Sequence, residues 1–256
     1  MNDVLPDLNN PDTRREALLA ELARAGRLVA SELASAFSVS ADTVRRDLLA
    51  LETEGRLRRV RGGALPVARP ARPFPERSAA GTKDLSALAR GAASLVGRGA
   101  CLLLDGGTTL AACAHALPAE LGLTIVTPSP AVAVAAQAGG HEVVTVGGRL
   151  GARSGSAFGA DAERAIGRCA ADLCLVGACA VDARWGLGAD DHDDASLKHA
   201  MIEASTRAVA VAGAEKLGRR SRFRVIATDG LDALVTDAPP EALEPFAALS
   251  LEVVRV

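Results

Sequence analysis

Aromatic side chains are nearly absent from this sequence: five Phe, one Trp and no Tyr make up 2 % of 256 residues. A platform on which bases or sugars stack is therefore not expected, and alanine and valine are left to fill the core. Lysine is scarce too, with Lys83, Lys198 and Lys216 the only three among twenty-nine basic residues. No apolar run reaches the roughly 18 residues that a membrane-crossing helix needs. The opening stretch MNDVLPDLNNPD is acidic and lacks a signal-peptide pattern, so a cytoplasmic protein without a membrane partner is expected. Five cysteines, Cys101, Cys113, Cys169, Cys174 and Cys179, are odd in number and sit among apolar neighbours, which predicts reduced, buried thiols. The last three recur every five residues, whereas zinc ligands usually stand two to four apart, so no metal site is expected there.

What is present describes a folded chain. An apolar fraction of 49 % with 23 % charged residues is ordinary for a globular protein, and the length suffices for two domains. Twenty-nine basic against thirty-one acidic residues give a net charge of −2, which excludes a uniformly basic nucleic-acid coat and leaves local distribution to decide. Residues 13–61 are dense in Leu, Ala, Arg and Glu at helical spacing. The stretch 62–77 carries Gly, Pro and Arg, and beyond it apolar runs alternate with Gly-rich turns. These shifts predict a small helical domain over 1–64, a Pro/Arg-rich linker over 65–80 and a larger α/β domain over 81–256.

In the first domain Ala17, Leu18, Leu22 and Ala25 share a face before Gly26, predicting a helix over 13–25. Ser31 is placed to cap a second, brief helix with Leu33, Ala34 and Phe37 inward. Ser38-Val39-Ser40 makes a turn, and Ser40 is the expected N-cap of a third helix over 41–52, with Val44, Leu48 and Leu51 buried. Thr43, Arg45 and Arg46 lie exposed near its start. That is the geometry of a helix-turn-helix whose second helix enters the major groove. The planar fork of arginine matches the two acceptors of guanine, and threonine touches a thymine methyl or a phosphate. A solvated arginine pair on a structural helix gives the same pattern.

The next residues shift the balance. Arg56, Arg58, Arg59 and Arg61 alternate with Leu57 and Val60 before Gly62-Gly63, the period of a small β-hairpin or wing with an almost wholly positive polar face. From 55 to 77 there are seven arginines against Glu76 alone, a local charge of +6 that suits phosphates. The run 33–64, LASAFSVSADTVRRDLLALETEGRLRRVRGGA, resembles the N-terminal winged helix-turn-helix of the DeoR family of bacterial transcription regulators. Thr43 to Leu48 and Gly55 to Ala64 follow that family's T-[IV]-R-R-D-L and G-x-L-x-R-x-x-G-G-A pattern position by position. The resemblance implies a double-stranded DNA operator contacted by Ser40, Thr43, Arg45 and Arg46, with Arg56, Arg58, Arg59 and Arg61 on the wing. Asp47 and the leucines are left to packing and capping. Pro66, Pro70, Pro73 and Pro75 stiffen the joint that follows.

In the second domain short apolar runs alternate with helical stretches. Strands are expected at 100–104, 123–127, 142–146, 173–176 and 209–211, giving a largely parallel sheet covered on both faces. The run 100–104 ends in Asp105-Gly106-Gly107-Thr108-Thr109 before a helix at Leu110. A strand, a Gly-rich turn and a helix N-terminus place free N–H groups and hydroxyls around one point, which suits a phosphate; the same residues also make a plain tight turn. Ligands of such sheets bind beyond the strand carboxyl ends, where several Gly-rich turns are expected to converge.

This half resembles the DeoR-family C-terminal sensor domain, which shares the ribose-5-phosphate isomerase-like fold. The matching pieces are D-G-G-T-T (105–109), V-T-x-S (126–129), Gly147-Gly148, Gly159, G-A-x-x-V-D (177–182), K-x-x-M-I (198–202) and E-K-L-G (215–218). The resemblance implies a phosphorylated sugar or related metabolite as effector, lined by Asp105, Gly106, Gly107, Thr108, Thr109, Thr127, Ser129, Gly147, Gly148 and Lys216. Pro128 stands where the family often has Asn and Gly213 where it often has Asp, departures that bear on the ligand's identity.

Other chemistries fit the same residues less well. An aldose–ketose phosphate isomerase needs a general base, and Asp105 or Asp182 qualify by type, but no acid-rich catalytic motif accompanies them. A redox switch at Cys169, Cys174 and Cys179 needs exposed, low-pKa thiols, against which their apolar neighbours argue. The tract Asp190-Asp191-His192-Asp193-Asp194 carries metal-ligand types, yet acids gather before a helix, here expected at Ala195, for dipole reasons alone. The reading is a DNA-binding repressor without cofactor or metal, active as a symmetric homo-oligomer on repeated half-sites.

Overall fold

The computed structural model describes residues 8–25, 27–66, 73–80 and 84–256. The chain divides into two compact units, Met1–Pro70 and Ala71–Val256.

In the first unit α1 (Pro11–Ala25), β1 (Leu28–Val29), α2 (Ala30–Ala36), α3 (Ala41–Thr53), β2 (Leu57–Val60) and β3 (Gly63–Pro66) follow in order. Leu18, Leu22, Leu33, Val44, Leu48, Leu51 and Leu57 meet in one core. Each helix supplies residues three or four apart, the spacing that makes an apolar stripe. A buried ion pair joins α1 to α3. Arg14 Nε donates to Asp47 Oδ2 at 2.5 Å and its NH2 to Oδ1 at 3.3 Å, while Arg15 Nε lies 3.5 Å from the same carboxylate. Arg14 also donates to the carbonyls of Leu8 and Asn9. Asp47 is thus more than packing: it fixes α3 against α1.

Ser31 is not a cap. Val29 is already extended in β1, which pairs with β3, so α2 starts at Ala30 with Val29 at its N-cap and Ser31 inside the helix. β2 and β3 pair antiparallel across Arg61-Gly62, and β1 adds a third strand to this wing. The two glycines have separate reasons. Gly62 has φ 84°, in the left-handed region, and a Cβ on Gly63 would lie 1.8 Å from the Leu28 carbonyl oxygen.

The second unit begins with α4 (Phe74–Ala80), α5 (Ser86–Ala93), β4 (Cys101–Leu104), α6 (Thr108–Ala116), β5 (Thr124–Thr127), α7 (Pro130–Ala138) and β6 (Glu142–Thr145). A hairpin of β7 (Arg149–Leu150) and β8 (Ala157–Phe158) leads to α8 (Ala160–Ile166), β9 (Leu173–Gly177), β10 (Ala180–Asp182), β11 (Gly186–Ala189) and α9 (His192–Glu203). Then come β12 (Ala208–Val211), β13 (Phe223–Ile226), β14 (Ala233–Thr236), α10 (Pro240–Leu243) and β15 (Glu252–Arg255).

Seven strands form one parallel sheet in the order β15-β14-β12-β9-β4-β5-β6. Successive side chains face opposite layers. Leu102, Leu104, Ile125 and Leu175 pack with residues of α5, α6 and α7. Leu103, Val126, Cys174 and Val176 pack with α8, α9 and the small antiparallel sheet β10-β11-β13. The expected α/β architecture with a mostly parallel sheet is the one observed.

Differences from the sequence reading are local. Of the stretch expected as a joint, 63–66 is strand and 74–80 is helix, while 67–72 lie outside the described residues, as do Gly26, Lys83 and the side chain of Arg77. α9 starts at His192 rather than Ala195, because Asp191 caps it by accepting from the N–H groups of Asp193 and Asp194. Among the described residues no helix is long and apolar enough to cross a membrane.

Two outcomes test this packing. Asp47→Ala leaves Arg14 buried without its counter-charge and is expected to destabilise the first unit by about 3–5 kcal/mol. Helical circular dichroism should then show an early melting step while fluorescence of Trp185, in the second unit, does not change; a single unshifted transition would contradict the role given to the pair. Burial lifts the Cys113 thiol to about 12 and raises Cys174 further. Both should stay unmodified by a thiol reagent at pH 8 in the native protein, as read by peptide mass spectrometry.

Candidate nucleic-acid interface and ligand pocket

The start of α3 is built around Ser40. Its Oγ accepts from the Thr43 N–H at 3.0 Å and lies 2.8 Å from Thr43 Oγ1, so the two hydroxyls complete the cap expected from the sequence. Ser38, with φ 54°, makes the sharp turn before it. Arg45 and Arg46 both point to solvent. Arg46 reaches Asp42 one turn earlier at 3.1 Å, an exposed pair worth well under about 1 kcal/mol. Arg45 has no ion pair among the described residues, which leaves its five donors available.

The wing does not set its four arginines on one face. Arg59 follows the side of buried Leu57, and both its backbone N–H, at 2.8 Å, and its guanidinium, at 3.8 Å, engage Glu52 of α3. Strand alternation turns Arg58 the other way with Val60. Arg56, Arg58 and Arg61 are exposed. Arg59 is exposed as well, so all four arginines meet solvent, and Arg59 in addition braces the wing against α3.

In the second unit the expected ligand residues lie along the carboxyl edge of the sheet. β4 ends at Leu104, and Gly107 precedes α6 with no side chain capping that helix. The N–H groups of its first turn are thus open to an anion, with the half-buried Thr108 and Thr109 beside them. β5 contributes Thr127 and Ser129, both buried; Thr127 Oγ1 accepts from the Ser129 N–H at 3.1 Å, while Ser129 Oγ has no partner among the described residues. Gly106 lies between, because a Cβ there would come within 3.2 Å of Ser129 Cβ. Gly147 and Gly148 follow the edge strand β6, and Lys216 follows β12. The strand ends carrying them are each two positions from β4, roughly 10 Å.

The charge balance of this edge rests on a residue the sequence only hinted at. Lys198, on α9, is buried and donates to Asp105 Oδ2, which also accepts from the Gly177 N–H at 3.0 Å; Asp194 Oδ1 lies 3.3 Å from the same ammonium. Burial opposes the Lys198 charge, but the two carboxylates more than offset it and hold the lysine above its usual range. Burial raises Asp194 above the ordinary carboxylate range despite Lys198. Asp105 therefore anchors the loop. The scarcity of lysine, the K-x-x-M-I match at 198–202 and the i, i+4 spacing to Asp194 are the sequence signals for Lys198.

The acids of the other candidate chemistries are engaged elsewhere. Asp182 Oδ1 accepts from the N–H groups of Arg184 and Trp185 and from Arg220. In the 190–194 tract, Asp191 caps α9, Asp193 meets Arg149 at 2.7 Å and Asp194 faces Lys198. Among the described residues no three His, Cys, Asp or Glu side chains are grouped to hold a metal.

Comparison with known proteins agrees with both halves. Residues 14–68 match the DeoR-like helix-turn-helix domain, and residues 82–238 match the DeoR C terminal sensor domain. The chain is 30 % identical over 252 residues to a putative aga operon transcriptional repressor of Escherichia coli O157:H7, covering 95 % of this chain and 93 % of that one. It is 31 % identical over 229 residues to the glycerol-3-phosphate regulon repressor of Escherichia coli K12, covering 89 % and 91 %. Among solved structures it is similar to ribose 5 phosphate isomerase A from Neisseria gonorrhoeae, at 17 % identity, 52 % coverage of each chain and a TM-score of 0.36. With both domain matches and relatives at this identity along nearly its whole length, the chain belongs to the DeoR family of DNA-binding transcription regulators.

Proposed function

We propose that this regulator represses a carbohydrate-metabolism operon and that a phosphorylated sugar or related metabolite changes its operator affinity. Residues 1–64 bind double-stranded DNA, 65–80 link, and 81–256 sense the effector. The observation that carries the effector reading is the uncapped N-terminus of α6 beside the buried, unpartnered Ser129 hydroxyl: open N–H donors and a hydroxyl around one point fit a phosphate. The names of the relatives, a glycerol-3-phosphate regulon repressor among them, support the same chemistry.

On the DNA side Arg45 enters the major groove, Thr43 and Ser40 reach the backbone at the helix start, and Arg46 exchanges Asp42 for DNA. Arg56, Arg58 and Arg61 meet phosphates, with Arg59 bracing the wing. A single helix-turn-helix buries little on a duplex, so the chain acts in the cytoplasm as a symmetric homo-oligomer on repeated half-sites. In the sensing unit Thr108, Thr109 and the amides of Gly106 and Gly107 hold the phosphate. Asp105 anchors the loop, Thr127 positions Ser129, and Gly147, Gly148 and Lys216 close the flanks. No carboxylate is asked to move a proton, and the ligand acts by preferring one of two placements of the DNA-binding units.

Selection of bound fragments from the source genome tests the first half. Arg45→Ala is expected to weaken specific binding by about 1–3 kcal/mol, and Arg45→Ala with Arg46→Ala to abolish it while the fold and oligomer persist. Native-strength binding by the double variant would remove α3 from the interface. A thermal-shift series with glycerol 3-phosphate, ribose 5-phosphate and glucose 6-phosphate tests the second half. A ligand at a hundred times its Kd stabilises by roughly 2.7 kcal/mol, and that shift should vanish in Thr108→Ala and shrink in Lys216→Ala.

A further inference from the structure

The hairpin 149–158 touches two separate parts of the sensing unit. On one side Ser156 packs on the backbone of Gly106, where an added Cβ would lie 2.0 Å from Ser156 Oγ. Ser156 is wholly buried, yet its hydroxyl, like that of Ser129 against the same glycine, has no hydrogen-bond partner among the described residues. Buried polar groups are almost always paired, so two unpaired hydroxyls meeting at one phosphate-type loop mark a place shaped for an acceptor. Nothing in the sequence around Ser156 singles it out.

On its other side the hairpin seats Phe74. The Phe74 N–H donates to the Ala152 carbonyl at 2.9 Å, and a Cβ on Gly155 would lie 2.7 Å from the Phe74 ring. Phe74 opens α4, the first described helix after the segment that arrives from the DNA-binding unit. Between these two contacts the hairpin is internally tied. Gly151 N–H donates to Ser156 O at 2.8 Å, Gly155 N–H to Gly151 O at 2.9 Å, and Ala157 N–H to the carbonyl of Pro128, next to Ser129, at 2.8 Å. Arg149 and Arg153 fasten it to Asp193 and Asp191 at the start of α9.

We propose that Ser156 contacts the ligand of this pocket and that the hairpin carrying it transmits occupancy to Phe74. The proposal rests on the effector reading above and adds how the site is read out. A ligand oxygen that draws the Ser156 hydroxyl displaces a loop whose far side holds the Phe74 ring in van der Waals contact. Close-packed contacts of this kind rearrange between discrete placements instead of stretching.

The test uses the full chain, a genomic fragment that it selects, and glycerol 3-phosphate, ribose 5-phosphate and glucose 6-phosphate as probes. Probe affinity is read by calorimetry, and fragment affinity is read with and without probe. Ser156→Ala should weaken the bound probe about tenfold to a hundredfold, the loss of a hydrogen bond to a charged group, with fragment affinity in the absence of probe unchanged. Phe74→Ala and the milder Phe74→Leu should bind probe within about threefold of native, a range too small to reflect a lost pocket contact, while the probe no longer alters fragment affinity. Native probe affinity in Ser156→Ala overturns the contact. A full response in both Phe74 variants, or a native chain whose bound probe leaves fragment affinity untouched, overturns the transmission while the pocket stands. A native chain that binds none of the probes overturns the effector reading and this proposal together.

Discussion

A parallel sheet buried on both faces offers polar access only at its strand ends, and that constraint organises the sensing unit. Leu102 and Leu104 face one layer and Leu103 the other, so every side chain of β4 after Cys101 is committed to the core. Polar chemistry can begin only at Asp105. The same holds for β5, where the buried hydroxyls of Thr127 and Ser129 begin as the apolar run ends. The carboxyl edge is therefore the place where N–H groups, hydroxyls and charge collect.

Placing charge at such an edge requires compensation, and Lys198 supplies it. Its ammonium is enclosed by Asp105 and Asp194, which ties the β4 loop to α9 from below. The DNA-binding unit uses the same device on a smaller scale: Asp47, enclosed by Arg14 and Arg15, fixes the helix that displays Arg45 and Arg46. In both units a buried carboxylate immobilises an element that carries candidate site residues. An ion pair of this kind contributes little net stability against an apolar alternative, but removing one partner is costly, so it enforces one placement.

The helix-turn-helix was legible because its signals are local. Ser40 caps α3 as its position suggests, and Val44, Leu48 and Leu51 are buried at i, i+4 and i+7. Ser31 misled because a distant partner prevails: β3 holds Val29 extended and so decides where α2 begins. Five strands of the large sheet follow from apolar runs. β14 and β15 join an edge through pairing with β12 and with each other, and the short strands β10, β11 and β13 alternate too briefly to announce themselves. Arg59 shows the same limit, since its neighbour Glu52 becomes its partner only when the wing folds back on α3.

By itself the sequence determined the two units, the capped helix with its exposed arginines, the Gly-rich turn after β4 and the membership of the family. These rest on residue spacings within a turn or a strand, which the chain carries whether folded or not. Only the tertiary structure decided that Lys198 neutralises Asp105, that Arg14 answers Asp47, and that Ser156 meets Gly106. Each of those joins residues tens of positions apart, and such pairs are set by which strands and helices become neighbours when the core is buried.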